Sequence, residues 1–75
     1  MKLNEIKVNT IVQICQIEME EQDRKRLFFM GLYEGALIMK LQDAPLHDPA
    51  LYFVSGNQII LRNKDARRIE VEVNV

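Results

Sequence analysis

His47 and Asp48 stand side by side in the run Ala44-Pro45-Leu46-His47-Asp48-Pro49. A histidine beside a carboxylate is a pairing that can orient a general base. It has no nucleophile to serve. Cys15, the single cysteine, lies inside an apolar, β-branched run over residues 10–17, where a thiol is expected to be buried and inert. No HExxH, GxSxG, Walker A or GxGxxG pattern occurs. A structural zinc site calls for four Cys or His ligands at close spacing. This chain has one of each, at positions 15 and 47. Ferrous iron accepts histidine with carboxylates, which makes His47 and Asp48 the candidate metal ligands, but the spacing supplies no third. The reading is a chain without catalytic residues, without a cofactor and without a metal site of its own. Metal held between two chains at His47 stays open.

Charge argues against a second class of function. Ten Lys and Arg face eleven Asp and Glu, a formal net charge of −1, whereas a general nucleic-acid binder needs a basic excess to displace counterions. The basic clusters Arg24-Lys25-Arg26 and Arg67-Arg68 are flanked by Glu20, Glu21, Asp23, Glu70 and Glu72, and read as solvated mixed-charge faces. The apolar runs are too short to cross a bilayer. A charge at Lys2 precedes any apolar stretch, so no signal peptide is expected. With a single cysteine, the expected address is the cytoplasm.

Partner contact remains. A chain of 75 residues forms one domain, 1–75, and must commit most of its apolar side chains to a core, leaving few for a deep pocket. Tyr33 and Leu46, with His47 beside it, fall where loops are expected, and become the candidates for partner binding.

The elements that place these residues follow from turn-formers and periodicity. Residues 10–17 read as a strand with Ile11, Gln13, Cys15 and Ile17 on one face and Val12 and Ile14 on the other. Acids followed by bases over residues 21–30 read as a helix, ended by Gly31 in the left-handed conformation with Leu32 packed back onto Leu27. Residues 36–42 give a second strand with Leu37, Met39 and Leu41 on one face. Pro45 and Pro49 hold a loop, and Ser55-Gly56-Asn57 turns a hairpin between strands 51–54 and 58–62. Asn63 is expected to cap one helical turn. Ile69, Val71, Val73 and Val75 alternate with acids in a last strand. The expected fold is mainly β: a small SH3-like β-barrel of about five strands, with one short helix between the first two strands and a short helical turn before the last. Closure should hide its sheet edges.

Arg26-Leu27-Phe28-Phe29-Met30-Gly31-Leu32-Tyr33-Glu34-Gly35, then Ala44 to Pro49, then Ile60-Leu61-Arg62 and Asp65-Ala66 with Ile69, together resemble the FeoA family, from about residue 3 to residue 73. The family commonly has glycine where Asn9 and His47 stand. If these positions need positive φ, Asn9 tolerates it and His47 carries strain. The resemblance implies a small cytosolic accessory of ferrous iron uptake that contacts the cytosolic part of a FeoB-type permease. It implies Fe(II) association and membrane contact only through that system, with homo-oligomerisation undecided. A small-barrel nucleic-acid-binding module or a metal-responsive regulatory module is the alternative.

Overall fold

The computed structural model describes residues 1–73. Strands β1 (Ile11–Ile17), β2 (Leu37–Asp43), β3 (Ala50–Val54), β4 (Asn57–Leu61) and β5 (Ile69–Val73) form one antiparallel sheet in the order β4-β3-β2-β1-β5. Helix α1 (Glu21–Phe29) lies between β1 and β2, and the single turn α2 (Asn63–Ala66) precedes β5. Two 3₁₀ turns complete the chain, at Leu3–Glu5 and Pro45–His47. The sheet curls around a core in which Leu3, Val12, Leu27, Leu32, Tyr52 and Ile69 are fully buried. The expected element order is therefore present, and Val75 lies outside the described residues.

Several faces differ from the simple alternation. In β1 a bulge between Ile14 and Gln16 shifts the register against β5. With Val12 and Ile14 in the core, alternation leaves Cys15 exposed rather than buried, and the one extra residue reverses the alternation beyond it so that Ile17 joins them inside. In β2 the buried residues are Ile38 and Lys40, while Leu37 is exposed. Lys40 is tolerated inside because its methylene stem lines the core and its ammonium finds fixed oxygens. A second bulge, between Lys40 and Gln42, follows it.

Helix α1 ends as its sequence dictates. Leu32 N–H donates to the Leu27 carbonyl at 2.9 Å and Gly31 N–H to that of Phe28 at 2.9 Å, with Gly31 at φ 93°. These two bonds are a Schellman closure, and the apolar pair that accompanies it, Leu27 with Leu32, is fully buried. Asn63, however, does not cap α2. Arg62 occupies the cap position, and Asp48 from the loop accepts the Asn63 N–H at 3.0 Å. Asn9 and His47 adopt φ 69° and 63°, in the left-handed region anticipated for both, and Leu46 joins them at 65°.

The two ends of the sheet are finished differently. Along β5, Val71 N–H donates to the Met1 carbonyl at 2.8 Å and Lys2 bridges to Glu70, so the N-terminal segment covers that edge. The edge of β4 has no such cover among the described residues, so the expectation of hidden edges is met at β5 alone.

Candidate functional site

The candidate contact residues fall on two regions at opposite ends of β2. That strand has seven residues and spans about 20 Å at its usual rise. Tyr33 lies just before it and Leu46 just after. They are two separate features, not one patch.

At the first end, α1 attaches to the core through a single fully buried side chain, Leu27. A helix cannot turn three consecutive residues to one face, so Phe28 and Phe29 point away and are exposed, Phe29 at 86%. Phe28 packs edge-on against Phe29, with centroids 6.0 Å apart, and against Tyr33 at 5.8 Å. The three rings form an aromatic ridge beside an open groove lined by Ile17, Leu32, Arg24 and Glu34. Arg24 is fixed there by donating to the Ile17 carbonyl at 3.0 Å and by an ion pair with Glu34 at 3.7 Å. Tyr33 was identifiable from its turn. Phe28 and Phe29 lie in four consecutive apolar residues, 27–30, directly behind the charged run Asp23-Arg24-Lys25-Arg26, a pattern that one helix face cannot bury.

At the second end the groups are polar and largely enclosed. The buried Lys40 ammonium donates to the Asn4 carbonyl at 3.3 Å, pairs with Asp43 Oδ1 at 3.2 Å, and lies 5.9 Å from the centre of the Tyr52 ring. Burial pushes the Asp43 carboxyl up, but hydrogen bonds from Lys40 and His47 outweigh it and leave the group below its ordinary range. Burial, with the Asp43 charge nearby, pushes the Tyr52 phenol up to about 12, so it stays protonated.

His47 and Asp48, neighbours in sequence, do not form a pair. The His47 ring meets Asp43 instead, Nδ1 to Oδ2 at 3.3 Å, while Asp48 is engaged by the Asn63 N–H. His47 is 82% exposed on its side chain, and Leu46 stands out at 94%. Among the described residues no three His, Cys, Asp or Glu side chains are grouped to hold a metal ion, and no helix is long and apolar enough to cross a membrane.

A five-stranded curled sheet with a helix after the first strand and a helical turn before the last is an SH3-like domain. The FeoA domain model matches residues 1–73, and the chain belongs to the FeoA domain family. A curated relative is a fusion protein of Fe(2+) transport protein A and the Fe(2+) transporter FeoB from Porphyromonas gingivalis. It is 37% identical over 73 residues, which are 97% of this chain and 9% of that protein. Among solved structures, the iron(II) transport protein A of Clostridium thermocellum superposes with a TM-score of 0.92 at 34% identity, over 97% of this chain and 45% of that one. The FeoA protein of Chlorobium tepidum does so with a TM-score of 0.92 at 32% identity, over 100% and 71%.

Proposed function

We propose that this chain is a non-enzymatic accessory of ferrous iron uptake that binds the cytosolic part of a FeoB-type permease by surface contact. One observation carries the reading. In the Porphyromonas gingivalis relative, a segment similar to nearly the whole of this chain is continuous with the permease in one polypeptide. Fusion holds two modules at high effective concentration, a benefit only where they meet.

Two surfaces of this chain suit such a meeting. The Phe28–Phe29–Tyr33 ridge offers rigid aromatic anchors of the kind that dominate interface energies. Leu46, with His47 beside it, offers a second apolar point beyond the other end of β2. In this reading iron reaches the chain only through the permease, as does the membrane, and nucleic acid is no partner.

Pull-down of the permease's cytosolic domain by the intact chain is the test. Association is expected with or without added nucleotide. Retention no better than that of a Phe28→Ser/Phe29→Ser variant would overturn the ridge, and no association under either condition would overturn the reading.

A further inference from the structure

The two edges of the sheet differ in the charge and the cover that prevent strands from pairing between molecules. Edge strands are ordinarily blunted by charge, proline, a bulge or a covering segment. β5 carries Glu70 and Glu72 and is covered by Met1 and Lys2, whose amino groups both pair with Glu70. β4 has none of these. Its sequence, Asn57-Gln58-Ile59-Ile60-Leu61, contains no charge and no proline, and it pairs with β3 without interruption over all five residues.

The hairpin fixes which of its backbone groups are free. Ser55 and Gly56 have φ 51° and 80°, the two-residue turn with both central residues left-handed. Such a turn makes its flanking residues, Val54 and Asn57, a hydrogen-bonded pair. Alternation then turns the amides and carbonyls of Asn57, Ile59 and Leu61 toward β3, and those of Gln58 and Ile60 outward. Among the described residues no backbone group bonds to these outward four. Ile60 is 64% exposed, on the face where its partner in β3 is Leu51.

We propose that the β4 edge pairs with the β4 edge of a second copy of this chain, antiparallel about a two-fold axis through Ile59. In that register Gln58 lies opposite Ile60 of the copy, and Ile60 opposite its Gln58. Each pair exchanges two backbone hydrogen bonds, four in all, and donors match acceptors because the same patch serves both molecules. Ile59 meets its own symmetry mate on the core-facing side. The nearest charge, Arg62, falls opposite Gly56 of the copy, so no like charges are brought face to face. An uncharged strand has nothing with which to select a charged partner, whereas symmetry alone completes its own pairing. Five residues per copy make a small interface, so the dimer is weak and forms with rising concentration.

Amide spectra and hydrogen exchange of the intact chain, from about 20 μM to about 2 mM, with sedimentation alongside, test this in the range where small interfaces associate. The Gln58 and Ile60 amides are expected to shift, and their exchange to slow, while the Ile59 amide, bonded to β3, keeps its protection. Ile60→Lys places a gatekeeping charge on the edge, and Gln58→Pro deletes an outward N–H without touching the β3 ladder. Each is expected to weaken association at least tenfold, with dilute spectra confirming the fold. Concentration-independent amides at 58 and 60 would overturn the proposal, as would variants that associate like the parent. Shifts at β4 produced by the permease's cytosolic domain but not by self-titration would overturn it too.

Discussion

The two ends of β2 hold opposite kinds of chemistry. At one end Lys40 and Asp43 are enclosed and paired with each other, with the Lys40 ammonium near the buried Tyr52 ring. At the other, Phe28, Phe29 and Tyr33 are apolar and face solvent, touching mainly one another. Residue type alone would assign these roles in reverse, with aromatics inside and charges outside. Where such an inversion occurs, the enclosed charges must keep their partners for the fold to hold, and the exposed aromatics are free to meet something else.

The largest expected effect comes from breaking the enclosed end. Asp43→Ala leaves the Lys40 ammonium buried with only the Asn4 carbonyl as partner. Removing one member of a buried pair costs about 3 kcal/mol or more, which a urea midpoint will show. Lys40→Met in the same background removes the stranded charge and is expected to restore most of the loss. If the double variant is no better than Asp43→Ala, the pair is not what the enclosed end depends on. Acid reproduces the effect in part. The folded-state carboxyl of Asp43 lies below its ordinary value, so its contribution is full above the unfolded value and is lost as pH falls through the lowered folded value. A flatter acid limb for the Asp43→Ala/Lys40→Met double variant than for the parent checks the sign.

A smaller loss is expected at the point where the aromatic end is anchored. Gly31 has φ 93°, and an added Cβ would stand 2.8 Å from Ser55 Cβ and 3.0 Å from its Oγ. The Ser55 hydroxyl also donates to the Gly31 carbonyl at 2.9 Å, joining the end of α1 to the β3–β4 hairpin. Gly31→Ala is therefore expected to cost about 2 kcal/mol, from the left-handed backbone and the contact together. Gly35→Ala is the control. It has φ 98° but open space around the new methyl, so about 1 kcal/mol is expected from the backbone alone. Equal losses at the two glycines in thermal unfolding would mean that the hairpin contact contributes nothing, and the anchoring of the ridge would then fall to Leu27 and Leu32 alone.

How much of this was legible beforehand follows from the range of the interactions. The Gly31 closure was readable because it is local. Its hydrogen bonds span five residues or fewer, and Leu27, Gly31 and Leu32 sit at fixed offsets. The turn at Gly35 was readable for the same reason, as was the hairpin expected at Ser55-Gly56-Asn57, though Asn57 already belongs to β4. What could not be read depends on distant partners. Lys40 turns inward because the Asn4 carbonyl, thirty-six residues away, receives it. Asp48 caps α2 across fifteen residues. The β1 bulge that returns Ile17 to the core is defined only against β5. The candidate site divides in the same way. Tyr33 and Leu46 were visible as apolar residues in turns, whereas Phe28 and Phe29 are exposed because the core accepts only Leu27 from α1.

The smallest expected effect on stability is also the sharpest test of the comparison. Phe29 is 86% exposed and rests on Phe28 alone among the aromatic rings. Its removal takes little apolar area out of the folded state, so Phe29→Ser should change unfolding free energy by no more than about 0.5 kcal/mol. The same substitution is expected to weaken binding to the permease's cytosolic domain by at least about tenfold, or about 1.4 kcal/mol, because a rigid aromatic anchor is lost from the interface. Leu46→Ser, at the opposite end and equally exposed, serves as its counterpart. If Phe29→Ser binds like the parent and Leu46→Ser does not, the contact lies beyond the polar end, and the ridge is surface without a partner. If Phe29→Ser instead unfolds the chain, the ridge belongs to the core, and the division between a holding end and a meeting end does not exist.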